Sequence, residues 1–218
     1  MKNFFNKYKH AWLLLYAFIY LPWFSYLERT ITKNYHIIHV SMDDYIPFNE
    51  YFIIPYLLWF LYVAIPILYF FFCEKSCYYR LCFFLFTGMT LSLIICTLFP
   101  NGTDFRPVVN PDKNLFSQLV FILYRTDTCT NVFPSIHVFN SIGVHLAVMH
   151  SERLKQRHIL RIGSFVLMVS ICLSTVFLKQ HSVIDGLASL AMAYCLYGPA
   201  YGHGFSYNRR KSHQKALG

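Results

Sequence analysis

Charge is what this chain has least of. Only 13% of its 218 residues are Asp, Glu, Lys or Arg, against 56% hydrophobic and 19% aromatic, a balance that excludes a water-soluble domain of this size. Negative charge is scarcest: ten carboxylates face nineteen cations, for a net charge of +9. No base-stacking module accompanies those cations, so nucleic acid is not an expected partner, and they read as topology signals and contacts for anionic lipids. Ten-residue alternating segments are missing, which excludes a transmembrane β-barrel. Internal repeats, low-complexity tracts and signs of a second domain are missing as well. The seven cysteines are odd in number and scattered, so they make neither a disulfide framework nor a zinc site. Only Cys129, in an outer linker, is expected to be reactive.

What is present is apolar length. Six stretches stand out: Ala11 to Leu27, Tyr51 to Phe72, Leu81 to Phe99, Val132 to Met149, Ile159 to Leu178 and Val183 to Tyr201. Each lies near the ~20 residues a helix needs to cross ~30 Å of hydrocarbon. The expected fold is all-α, a polytopic bundle of six transmembrane helices forming one catalytic domain over 1–203, followed by a basic tail over 204–218. The first stretch follows Lys2, Lys7 and Lys9 but has no Ala-x-Ala site after it, so it is expected to be a retained helix.

Orientation follows from the cations. The amino terminus, Cys73 to Arg80, His150 to Arg161 and the tail hold 13 of the 19, and the alternate loops hold eight of the ten carboxylates. The positive-inside rule then puts both termini in the cytoplasm. With that parity, the linker before the fourth stretch and the turn before the sixth share the outer side.

Those two connections carry the chemistry. Pro134-Ser135-Ile136-His137 opens the fourth helix, and His181 stands four residues before Asp185 at the start of the sixth. Ionisable residues at membrane depth are costly and usually functional. Pro134 suits a first helical turn, where free amides and the positive end of the dipole bind anions, with the Ser135 hydroxyl beside them. A phosphate is the natural guest. His137 is placed to hand a proton to a leaving oxygen. Asp185, one turn from His181, can hold its Nδ1 proton and free Nε2 to attack phosphorus.

At these residues the sequence resembles the type 2 phosphatidic acid phosphatase superfamily of lipid phosphatases and phosphotransferases, whose signatures are Lys-x6-Arg-Pro, Pro-Ser-Gly-His and Ser-Arg-x5-His-x3-Asp. Pro134, Ser135 and His137 match the second, with Ile136 in the glycine's place. Ser174, His181 and Asp185 match the third, and Arg106-Pro107 ends the first. The resemblance implies a phosphohistidine on His181, oriented by Asp185, with His137 protonating the leaving group and Arg106, Ser135 and Ser174 holding phosphate. Phe99 stands where the first signature has Lys, and Thr175 where the third has Arg. Lys179, two residues before His181, is the expected substitute for the lost cations. Their loss, and the loop Asp43-Asp44-Tyr45-Ile46-Pro47-Phe48 leading to Ile53-Ile54-Pro55-Tyr56, look like the branch holding inositol phosphorylceramide and sphingomyelin synthases.

The expected activity is hydrolysis of a lipid phosphate, of phosphatidic acid or polyprenyl diphosphate type, without a metal or other cofactor, at the outer face of the plasma membrane. The alternative is transfer of a phosphorylated headgroup to a lipid or sugar hydroxyl. A haem protein would need facing histidines at mid-membrane depth, unlike His137 and His181. His36, His39, Asp43 and Asp44 form no closed metal set and are expected to be solvated or hydrogen-bonded. Asn140 and His145 are candidates for a headgroup cavity, whereas Ser141 is expected to pack. Leu115 to Tyr124, too short to span, is expected to lie at the interface and guard the pocket.

Overall fold

The computed structural model describes residues 8–202. The expected tail over 204–218, with Arg209, Arg210, Lys211 and Lys215, lies outside the described residues, as do Lys2 and Lys7. The described chain is helical almost throughout. A 3-10 segment, Lys9–Tyr16, runs into α1 (Ala17–Thr30), and α2 is the short Ser41–Tyr45. After a 3-10 turn at Glu50–Phe52 come α3 (Ile53–Cys73) and α4 (Lys75–Leu98). They are followed by α5 (Leu115–Thr126), α6 (Ile136–His150), α7 (His158–Phe177) and α8 (Val183–Tyr201). Two residue pairs in the connecting loops, β1 (His36–Ile37) and β2 (Asn101–Gly102), form a parallel ladder.

Four helices among the described residues are long and apolar enough to cross a membrane: Glu50–Cys73, Lys75–Leu98, His158–Phe177 and Val183–Tyr201. The other two expected spans are shorter as α-helix. The first has only 14 α-helical residues because its beginning is wound as 3-10 helix. The fourth loses its start to the turn at Pro134 and keeps 15 residues, about 22 Å of rise. In the reverse sense, α4 begins at Lys75, well before the expected Leu81, because only Glu74 separates it from α3. The lipid-facing character is plain on α3, where Ile54, Leu58, Leu61, Ile65 and Leu68 are exposed. In water such a surface would be an aggregation liability, whereas in hydrocarbon it costs nothing.

The short helix α6 is the centre of the bundle, packed on α3, α4, α7 and α8. Small residues let α4 come close. A Cβ on Gly88 would fall 2.0 Å from Phe139, and one on Gly143 would fall 2.7 Å from Phe84. The two rings stack between those glycines at 4.7 Å, the small-against-large packing that holds helices together where no hydrophobic force between them exists. Ser141 donates back to the carbonyl of His137 at 2.7 Å, in keeping with a packing role.

Over one end of this bundle the loops are knitted by Asn101, which is fully buried. Its Oδ1 accepts the amides of Val132 (3.0 Å) and Phe133 (2.9 Å), and its Nδ2 donates to the carbonyl of Phe99 at 2.7 Å. Cys129 lies in this layer, half-buried, with the Tyr35 hydroxyl 3.7 Å from its Sγ.

Candidate active site

The site assembles where α6 and α8 begin. Ser135 caps α6, accepting the amide of Val138, and its own backbone reaches across: its amide donates to the carbonyl of Asp185 (3.3 Å) and its carbonyl accepts from Ser189 Oγ (2.8 Å). At α8, Ser182 and Asp185 form a reciprocal cap, with the Ser182 amide donating to Asp185 Oδ2 at 2.9 Å. Such a cap satisfies amides that helix geometry leaves bare. Between α7 and α8 the chain reverses through Lys179 at φ +52°, a left-handed conformation that costs a side-chain-bearing residue about 1–2 kcal/mol. The amides of Gln180 and His181 both close on the Thr175 carbonyl, at 3.0 and 3.1 Å.

These turns bring the two histidines into contact. His181 Nε2 lies 3.4 Å from His137 Nδ1, and His181 Nδ1 lies 3.3 Å from Asp185 Oδ2. Asp185 is fully buried and His181 nearly so. In the tautomer that carries the His181 proton on Nδ1, facing Asp185, Nε2 is the acceptor of the 3.4 Å contact and His137 Nδ1 the donor. The His181–Asp185 approach is long for a charge-assisted bond, and Nδ1 of His181 makes no hydrogen bond among the described residues. The ring of His137 is walled by Trp59 and Tyr56, with centroids at 4.4 and 4.7 Å.

Arg106 faces the same cavity. Its Nη1 donates to the carbonyl of Asp127 (2.8 Å), and its Nη2 donates to the carbonyl of Thr128 (2.7 Å) and to Oε1 of Gln180. The guanidinium lies over the Tyr124 ring at 5.0 Å. Among the described residues no carboxylate comes within 4.0 Å of it, so its charge is held by neutral oxygens and is open to an anion. The cavity these residues line, with Glu28 and Asp127, has a volume of about 40 Å³, the room of a few waters or one small oxyanion. Burial pushes the Asp127 carboxyl above its ordinary value, opposed by Arg106. The same desolvation raises Tyr124.

Of the expected site residues, the structure brings His137, His181, Asp185 and Arg106 together. Ser135 is spent on its cap. Ser174 is buried with its hydroxyl on the Ile171 carbonyl at 2.6 Å. Lys179, the expected substitute cation, is turned elsewhere: its ammonium donates to the carbonyls of Asp43 and Ile46. It does not line the histidine cavity. The physical reason is its left-handed backbone, which aims the side chain at the loop that carries Asp43 and Ile46. Asp43 is likewise inward, its carboxylate accepting Ser182 Oγ (2.6 Å), the Val183 amide (2.8 Å) and the Val40 amide (2.9 Å). His39 bonds Asp44 at 2.9 Å, and His36 stacks on Phe99 at 4.3 Å. Among the described residues no three His, Cys, Asp or Glu converge as metal ligands. His145 lies away from the cavity, its Nδ1 3.2 Å from Ser164 Oγ. Helix α5 covers the site's flank, the Tyr124 hydroxyl donating to the Leu178 carbonyl at 2.7 Å.

Sequence reasoning missed Gln180, Asp127, Glu28 and Trp59. Gln180 adjoins His181, and Asp127 sits in the polar run after α5, the signals that would have found them. No family model matches the chain, and neither does any curated protein or solved structure.

Proposed function

We propose that the chain is a membrane-embedded lipid phosphatase of six spans, acting through a phosphohistidine on the outer face of the plasma membrane with both termini in the cytoplasm. The observation that carries this reading is the shared cavity of His137, His181 and Arg106, with Asp185 directly behind His181. His181 Nε2 attacks phosphorus, its ring charge growing against Asp185. The leaving lipid oxygen departs in line and takes a proton from His137, which enters the step as the imidazolium and leaves it as the neutral imidazole. Arg106 neutralises the equatorial oxygens, and phosphoryl transfer depends chiefly on such positioning and neutralisation. Water, deprotonated by the now neutral His137, then attacks the phosphohistidine, which releases phosphate, frees His181 and returns His137 to the imidazolium. Reacting atoms approach to about 3–3.5 Å in such a complex, and the leaving oxygen lies beyond the phosphorus. The 3.4 Å contact between the rings must therefore open to admit the substrate.

Transfer to a lipid or sugar hydroxyl is the second reading, in which an acceptor replaces that water. It is favoured by the absence of two cations, with Phe99 and Thr175 in their positions and the Lys179 ammonium committed to carbonyls. The test is purified protein incubated with phosphatidic acid and a polyprenyl diphosphate, with and without hydroxyl acceptors and with EDTA. Hydrolysis gives inorganic phosphate that survives EDTA, and transfer gives a new phospholipid without it. His181→Ala abolishes either product, while His137→Ala chiefly slows departure of the leaving group. Full turnover in either variant overturns the roles assigned.

A further inference from the structure

A second site lies at the other end of the bundle. Between α3 and α7 runs an apolar groove of about 490 Å³, lined by Ile65, Tyr69, Leu160, Gly163 and Leu167, with Leu154 from the loop before α7. Both flanking helices are long and apolar enough to span, so the groove opens onto hydrocarbon. Gly163 leaves its floor bare, since a Cβ there would meet nothing within 4 Å. Two of the polar side chains in the wall satisfy each other: the Tyr62 hydroxyl donates to the Ser164 carbonyl at 2.9 Å and lies 2.7 Å from Ser164 Oγ. The groove thus selects for an apolar chain.

Its rim selects for negative charge. The connection over residues 150–161 carries Arg153, Lys155, Arg157 and Arg161 against the single carboxylate of Glu152. Arg153, Lys155 and Arg157 line, with Glu152 and Gln156, a recess of about 510 Å³, and Leu154, which lies between Arg153 and Lys155 in the chain, lines the groove. Glu152 reaches only Lys155, at 3.8 Å, and both are exposed. Glu74, the carboxylate packed nearest, is committed to Ser151 Oγ and the Glu152 amide. Arg161 is bonded to the Lys155 carbonyl at 3.1 Å.

We propose that groove and rim together bind an anionic phospholipid of the leaflet opposite the histidines, with an acyl chain along α3 and α7 and the headgroup phosphate at Arg153 and Arg157. A basic pocket between membrane helices has the charge and shape for that ligand, and a zwitterionic headgroup gains less there. The site is separate from the catalytic one: α6 leads from His137 to the rim over its 15 residues, about 22 Å. It therefore does not depend on the proposed phosphatase activity.

The test uses the full chain purified in a neutral detergent. Its thermal midpoint is followed as dioleoylphosphatidylglycerol or dioleoylphosphatidylcholine is titrated in. Phosphatidylglycerol raises the midpoint saturably and phosphatidylcholine does not. Arg153→Gln with Arg157→Gln leaves the lipid-free midpoint unchanged and weakens the phosphatidylglycerol response by about thirtyfold in half-saturating concentration. Gly163→Phe, built into open space, abolishes the response by filling the groove. Equal responses to the two lipids overturn the proposal, as does a parental response in either variant. Should Gly163→Phe not fold, the exposed arginine pair still decides the outcome.

Discussion

Replacing Asp185 by Asn separates what this residue does for the fold from what it does for chemistry. Its Oδ2 takes the Ser182 amide at 2.9 Å and faces His181 Nδ1 at 3.3 Å, while Oδ1 has no hydrogen-bond partner among the described residues. An amide oxygen in the place of Oδ2 keeps the cap and the acceptor for the imidazole, and the amide nitrogen falls where nothing was bonded. Only the negative charge is lost. That charge opposes the positive charge His181 acquires as it attacks. At 3.3 Å the pair is worth about 5 kcal/mol with an effective dielectric near 20. Part of this is already present in the resting state, so turnover should fall by about 10³, comparable to deleting one preorganised electrostatic group. The thermal midpoint should stay within about 2 °C of the parent. Asp185→Ala should lose both, because the Ser182 amide is left bare at a cost of about 1 kcal/mol. The assay is product formation from phosphatidic acid, paired with trapping of acid-labile phosphoprotein. Turnover by the Asp185→Asn variant within about threefold of the parent would refute the nucleophilic role of His181.

Three other outcomes are expected. Asn101→Ala strips the acceptor from the Val132 and Phe133 amides, each costing about 1–3 kcal/mol when buried bare. Urea unfolding should show a loss of about 2–6 kcal/mol, and a loss under about 1 kcal/mol would mean water takes over. Gly88→Ala drives a Cβ to 2.0 Å from Phe139, two residues beyond His137. Overpacking should cost about 1–3 kcal/mol and slow turnover, and restoration by Phe139→Leu in the same chain identifies the clash as the cause. The third concerns pH. Because burial raises the Asp127 carboxyl above 3.8, the folded state holds its proton more tightly, so stability is greatest below that value and declines as pH climbs through the folded pKa. Asp127→Asn cannot ionise, so its midpoint should gain on the parent's across that window and hold a constant lead above it. A difference that is flat from about pH 3.5 to 7 would contradict the shift.

The four long apolar helices and the meeting of His137, His181 and Asp185 could be read from the chain because both begin as local patterns. Apolar runs report where hydrocarbon lies, and Pro134-Ser135-x-His137 and His181-x-x-x-Asp185 report helix starts carrying imidazoles. Loop parity alone placed them on one side. What the sequence hid was long-range. Gln180 takes Arg106 from 74 positions away, and Asn101 holds the amides before Pro134 from 31 and 32 positions away. Neither has a periodicity to betray it. Lys179 misled for the same reason: its two-residue spacing from His181 suggested a shared pocket, but the backbone sign at Lys179, set by the α7–α8 reversal, sends the ammonium to the Asp43 carbonyl. The short α-helical portion of the first stretch was hidden too, since hydrophobicity does not distinguish 3-10 from α winding.

Asp43 grips the start of α8 across 139 positions of chain, and this fixes when the two histidines can meet. During synthesis the loop before α3 emerges early and waits, its carboxylate without the hydroxyl and amide it will hold. Only when the last helix leaves the ribosome can it close on Ser182 and Val183 and set His181 in place. A chain cut short before α8 therefore carries an Asp43 carboxylate with neither the Ser182 hydroxyl nor the Val183 amide to accept.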